Sequence, residues 1–280
     1  MNMKRASILI SALIVSWPAF ALAGDEPSRD GGADAGQPDA MEILRQADEA
    51  CKAVNAVSYK AEFFGEGNLA DQLTRITGTV KAGERRQSLL GRLLGKCSES
   101  YRIRIEGKAT KPGSREEWCF TVASDGKRVY RISMNNKEFI SGSLPKAKSL
   151  LAKSGRPPLF MLEYLHDTPF SDELNGKSAR YEGTRDVGGV ECHVIYVVYA
   201  NDMESRWYFG TEDSLPRRVD RIVSEGSSMG SFTLEVSNLD TKPELSPCDF
   251  CLECPKGFDS KECEPWRRKA KVPQKKKPSN

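Results

Sequence analysis

A chain of 280 residues with 42 Lys and Arg against 39 Asp and Glu is close to neutral, and its 39% hydrophobic content can supply a core. That balance gives no support for nucleic-acid binding, and two histidines leave little from which to build a hydrolytic metal site. Eight cysteines, an even number, are the compositional feature that calls for an explanation.

In chain order, Lys4 and Arg5 come first, followed by "ASILISALIVSWPAFALA", an apolar run ending in Ala21-Leu22-Ala23. A positive start, a short apolar stretch and an A-x-A site predict a secretory signal peptide over residues 1–23, too short for a lasting membrane span. Cleavage would leave an exported, soluble, periplasmic chain of 257 residues with 40 basic and 39 acidic side chains. Residues 24–40 are acidic and poor in apolar side chains, and 264–280 are basic, with seven Lys or Arg in "WRRKAKVPQKKKPSN". Both predict disordered tails around a domain at 41–263. The basic tail is a candidate for contact with anionic membrane or cell-wall polymer, a solvated end being the plainer account.

Asp39 is a candidate N-cap, and Met41, Leu44, Ala47, Cys51 and Val54 recur at intervals of three and four, which predicts a long helix. The period then changes to two. "SYKAEFFG" (58–65), "YRIRIEG" (101–107) and "RVYRISM" (128–134) alternate apolar and polar residues and predict half-buried strands. Residues 143–176 break this rhythm: Pro145 and Gly155 bracket one short helix, and a second follows Pro157-Pro158 with Leu159, Phe160, Leu162 and Leu165. The pair reads equally as a lid over a sheet or as a crossover packed on the core. "ARYEGTRDVGGVECHVIYVVYA" (179–200) is a long hairpin, and "SRWYFG", "RRVDRIV" and "SFTLEVSNL" follow, for nine or ten antiparallel strands in all.

Three motifs look catalytic and fail on context, so no enzyme and no cofactor is predicted. Gly226-Ser227-Ser228-Met229-Gly230 fits a nucleophile elbow, but a strand pattern follows it and both histidines lie upstream. Gly65-Glu66-Gly67-Asn68-Leu69-Ala70 fits a loose dinucleotide fingerprint without a helix after it. Cys192 and His193 are neighbours on a strand and so point to opposite faces. The pairs Glu116-Glu117 and Glu212-Asp213 sit beside turns, where solvated surface is the default.

The succession "EILRQADEACKAVNAVSYKAEF" (42–63), "SDGKRVYRI" (124–132), "TRDVGGVECHVIYVVYANDMESRWYFGTEDSLPRRVDRI" (184–222), "FTLEVSNLD" (232–240) and "FCLECPKGF" (250–258) resembles the LolA/LolB-like lipoprotein-carrier superfamily. It is most similar to the divergent branch described as outer-membrane lipoprotein-sorting proteins. The Pro-rich, Phe-Arg-Trp-like strand of typical carriers has no counterpart, "RRQSLLGRLLGKCSESYRI" standing there instead. The resemblance implies an α+β, mostly β fold: a curved antiparallel incomplete barrel wrapped around the N-terminal helix, with short lid helices. It implies a concave apolar cavity for acyl chains or lipids. Candidate wall residues are Phe63, Tyr101, Ile103, Ile105, Tyr130 and Ile132, and the lid would supply Leu159, Phe160, Leu162 and Leu165.

The resemblance also makes 249–254 a strand, in which residues three apart lie about 10 Å from each other, beyond disulfide reach. Unless the strand breaks, Cys248 could then not bridge Cys251, nor Cys251 Cys254. Export favours disulfides with more distant partners among Cys97, Cys119, Cys192, Cys248, Cys251, Cys254 and Cys263, with Cys51 on the apolar helix face as a free thiol or further partner. A zinc knuckle or redox pair in "CDFCLECPKGFDSKEC" is the alternative. Two functional classes follow: a non-enzymatic carrier or sensor of lipophilic ligands, or a thiol or zinc protein. A structural envelope protein that needs a protein partner is a third.

Overall fold

The computed structural model describes residues 38–83, 102–143, 158–224 and 229–262. Helix α1 (Ala40–Lys52) starts where expected: the Asp39 side chain accepts from the Met41 amide at 3.0 Å, and Glu42 and Lys52 complement the helix dipole at either end. Its buried stripe is Ala40, Ile43, Leu44, Ala47 and Cys51.

Twelve strands among the described residues form one curved, unclosed sheet. They are β1 (Ala56–Gly67), β2 (Arg75–Gly83), β3 (Arg102–Thr110), β4 (Glu117–Asp125), β5 (Arg128–Ser133), β6 (Glu138–Ser143), β7 (Ser178–Val187), β8 (Val190–Val198), β9 (Glu204–Gly210), β10 (Pro216–Val223), β11 (Gly230–Asp240) and β12 (Asp259–Glu262). The order across the sheet is β12-β6-β5-β4-β3-β2-β1-β11-β10-β9-β8-β7. Two meanders, β1 to β6 and β7 to β11, meet at the antiparallel pair β1–β11. The strands exceed the nine or ten expected, and β12 runs parallel to β6. The hairpin β7–β8 turns through Gly188 and Gly189, whose φ values of 60° and 86° suit a two-residue turn that a side chain would strain.

One face of the sheet carries α1 and the main core; it is called inner here. Val57, Tyr59 and Ala61 of β1, Val80 and Ala82 of β2, Ile105 of β3, Trp207 and Phe209 of β9, and Leu234 and Val236 of β11 share one apolar cluster with the helix stripe. The segment after Pro158 enters the same cluster through Leu159, Met161, Tyr164, Leu165 and Phe170. It forms a single 3-10 turn, η1 (Leu162–Leu165), and a short helix, α2 (Ser171–Leu174). The helix expected between Pro145 and Gly155 lies outside the described residues, as do the signal peptide, residues 24–37 of the acidic segment and the basic tail, whereas Asp39 and Ala40 open α1.

The strand expected over 249–254 is absent. Pro247 opens the 3-10 turn η2 (Pro247–Phe250), and a capping box joins Ser246 to Asp249, whose carboxylate accepts from the Ser246 amide (2.8 Å) and hydroxyl (2.9 Å). The Cys251 amide donates to the Cys248 carbonyl at 3.4 Å across this turn, and both thiols are free and exposed. Phe250, 1% exposed, anchors this strap on the outer face, where Lys81 pairs with Asp249 at 2.9 Å and Arg104 donates to the Asp249 carbonyl at 3.2 Å. The Lys81 ammonium holds the Asp249 carboxyl down at about 2. The strap ends by laying β12 along β6, with Lys261 paired to Glu138 at 2.7 Å.

Candidate functional site

The inner face has two unequal halves. Over β1, β2 and β8 to β11 it is filled. Small residues opposite one another, Ala61, Gly78 and Gly107, leave a trough, and Leu159 drops into it. A Cβ on Gly78 would clash with the Glu106 carbonyl oxygen and stand 2.9 Å from Leu159 Cδ1, so this position requires glycine, and one on Gly107 would stand 2.7 Å from Phe120 Cζ. Tyr59 pins the segment from below: its hydroxyl donates to the Leu159 carbonyl (3.2 Å) and accepts from the Met161 amide (2.9 Å). Tyr164 donates to the Pro216 carbonyl, and Asp48 of α1 accepts from the Phe170 amide at 3.2 Å. The Phe170 ring stands edge-on to Trp207 and Phe209 at 5.1 and 5.2 Å.

A polar cluster lies beneath this plug. The Tyr199 hydroxyl donates to Glu173 Oε1 at 2.6 Å, accepts from Trp207 Nε1 at 3.2 Å and from Arg221, and lies 2.8 Å from Ser205 Oγ. The half-exposed Arg221 stands 3.9 Å from both Glu163 and Glu173. Burial pushes Glu173 up to about 7 despite Arg221, and raises Glu163 as well. This network ties η1 and α2 to β8, β9 and β10.

Over β3 to β5 the inner face is open. Ile76, Ala109, Trp118, Phe120, Val122, Arg131 and Ser133 line a groove of about 580 Å³, with Thr74, Asn135, Asn136 and Pro158 around it. The register accounts for the set, because residues directly opposite on antiparallel strands share a face. Ile76 opposes Ala109 and Ala109 opposes Trp118; Phe120 opposes Ser133 and Val122 opposes Arg131. Lys111 lies over the Trp118 ring at 4.2 Å.

None of the ten expected wall and lid residues is among those lining this groove. Ile105, Leu159 and Leu165 are buried in the core, and Phe63, Ile103 and Phe160 pack against it. Leu162 is half-buried and Tyr101 lies outside the described residues. Tyr130 and Ile132 are on the outer face, because their partners Ala123 and Thr121 belong to the row opposite to Val122. There they sit with Phe139, whose ring is 6.4 Å from that of Tyr130. The residues that do line the groove had a readable signal in "EWCFTV", where Trp118, Phe120 and Val122 alternate.

Among the described residues no two cysteines are bonded, and no three His, Cys, Asp or Glu side chains gather as metal ligands. Cys119, Cys248, Cys251 and Cys254 are exposed; Cys97 and Cys263 lie outside the described residues. Burial raises the Cys51 thiol, and pushes Cys192 up to about 11. Cys192 packs on the outer face with Val194 and Tyr208, whereas the His193 ring meets Tyr181 on the other. The elbow-like motif is followed by β11, and the dinucleotide-like one by turns leading to β2. No described helix is long and apolar enough to cross a membrane.

Comparison with protein-family models and with curated proteins gives no match. Solved structures similar to the chain include the lipoprotein LppX of Mycobacterium tuberculosis, at 14% identity and a TM-score of 0.42 over 76% of this chain and 100% of that one. The MucA/MucB complex of Pseudomonas aeruginosa is similar at 12% and 0.40, over 77% of this chain and 62% of the other. A LolA superfamily protein from Nitrosomonas europaea is similar at 9% and 0.29, over 77% and 99%. The curved, unclosed antiparallel sheet around a leading helix is the architecture that the resemblance to the LolA/LolB-like superfamily implies.

Proposed function

We propose that the chain is an exported, non-enzymatic binding protein that carries or senses a lipophilic ligand such as a lipid or lipoprotein acyl chain. The observation that carries this reading is the groove over β3 to β5: an open trough of about 580 Å³ with an apolar wall of Ile76, Trp118, Phe120 and Val122 and a polar rim, beside a filled core. That volume falls within the roughly 300–1,000 Å³ of ligand pockets, and an apolar ligand entering it gains about 25 cal/mol for each Å² removed from water. The plug is core, so the ligand occupies the groove and not the space beneath Leu159. Transfer between membranes, contact of the basic tail with anionic surfaces and an envelope partner belong to the same proposal.

Native mass spectrometry of protein isolated from its own envelope tests it, together with uptake of a fluorescent fatty acid. Ser133→Trp places an indole in the groove opposite Phe120 and should abolish uptake while leaving the fold intact. Absence of co-purified lipid together with absence of uptake would overturn the reading.

A further inference from the structure

The groove contains one feature that a purely apolar ligand does not use. Arg131 lines it with five N–H donors, yet forms no hydrogen bond or ion pair with any described residue. Its neighbours across the strands are Val122 and Ile140, and Phe120 lines the same trough. Glu138, which the register puts on the same side of the sheet two residues from Ile140, is paired with Lys261 at 2.7 Å. Lys111 is engaged on the face of Trp118 at 4.2 Å. A half-buried guanidinium beside an apolar wall is a matched receptor for a planar or tetrahedral anion, because it can offer two parallel N–H donors while its neighbours exclude water.

Resting on the lipophilic-binding reading, we propose that the groove selects amphiphiles with a single anionic head, a carboxylate or phosphate. Arg131 pairs with that head, and the chain lies along Ile76, Trp118, Phe120 and Val122. The inference converts a general apolar site into one with polarity and direction: the head at β5, the tail toward β2. It also assigns discrimination to one residue, since a neutral chain of equal length gains the same apolar burial but leaves the guanidinium without an anion.

The test titrates the full mature chain with a dansyl-labelled undecanoic acid and with its methyl ester, for the wild type and for Arg131→Gln and Arg131→Lys. Wild type should bind the acid at least about tenfold more tightly than the ester, the scale of a charge-assisted hydrogen bond. Arg131→Gln should remove that preference, and Arg131→Lys should restore part of it. Competition then separates the head groups: displacement by hexadecanoate or hexadecyl phosphate, but not by hexadecanol, supports the proposal, and the better competitor names the head. Equal binding of acid and ester by the wild type, or an unchanged preference in Arg131→Gln, overturns the role of Arg131 and leaves lipophilic binding standing. Failure of both probes to bind overturns the lipophilic reading itself, and this inference with it. Arg131 is only half-buried, so thermal melts of the variants should match the wild type and exclude misfolding as the cause.

Discussion

Glu173 makes stability depend on pH in a direction opposite to that of most carboxylates. It is 5% exposed, and its carboxyl rises from an ordinary 4.5 to about 7 because burial outweighs the attraction of Arg221. The folded state therefore holds this proton more tightly than the unfolded chain. Stability from this group is fully present below the unfolded value of 4.5 and is lost as pH climbs through 7. Integrating between those two values gives a loss of about 2–3 kcal/mol on going from pH 5 to pH 8. Glu173→Gln keeps the size and a hydrogen-bonding end but cannot ionise. Urea unfolding of both proteins at pH 5, 6, 7 and 8 isolates the contribution, because other titrations cancel in the difference. Wild type minus variant should fall by about 2–3 kcal/mol across the series, most steeply between pH 5 and pH 7 and levelling off above it. A difference that stays flat, or one that rises with pH, would refute the assignment of Glu173 as a buried acid that prefers its proton.

Other consequences are equally direct. Leu159→Ala, in the trough above Gly78, should cost about 2–5 kcal/mol in urea unfolding, while Leu162→Ala, half-buried on the same segment, should cost clearly less. Tyr59→Phe strands the Leu159 carbonyl and the Met161 amide in a buried place, so it should destabilise by about 1–3 kcal/mol and speed hydrogen exchange at Met161. Iodoacetamide applied to the native, reduced protein should label Cys119, Cys248, Cys251 and Cys254 well before Cys51 and Cys192, as read by peptide mass mapping. Rapid labelling of Cys51 without unfolding would mean that α1 does not stay docked.

The elements with strong periods were legible: α1 from its stripe and Asp39, the β7–β8 hairpin from its two glycines, and β1 from Tyr59 and Ala61. β2 was harder, because Gly78 in mid-strand reads as a turn, and the reason for that glycine is the backbone of β3, whose Glu106 carbonyl oxygen leaves no room for a Cβ. β12 has four residues, all exposed, and so no pattern to read; it exists because the strap delivers it to the edge of β6. The expected wall residues lie away from the groove for a different reason. Tyr130 and Ile132 are apolar on the outer side because the strap with Phe250 covers that side too, and alternation alone does not say which of two covered faces is the inner one. Nor does a half-buried arginine announce itself when Arg128 and Arg131 stand in the same short strand with opposite surroundings.

The seam between β1 and β11 has a bearing on how the chain folds. Each meander consists of neighbours in sequence and can assemble by local pairing, but β1 at residues 56–67 must wait for residues 230–240. Closing so long a loop is the slow, entropically opposed event of such a topology. Until it happens β1 is a bare edge, with Tyr59, Ala61 and Phe63 on it, open to pairing with another molecule. The vulnerable interval therefore runs from emergence of the first meander to arrival of β11, and a holdase that guards the β1 edge during that interval would raise the yield of native protein more than one that guards either meander's turns.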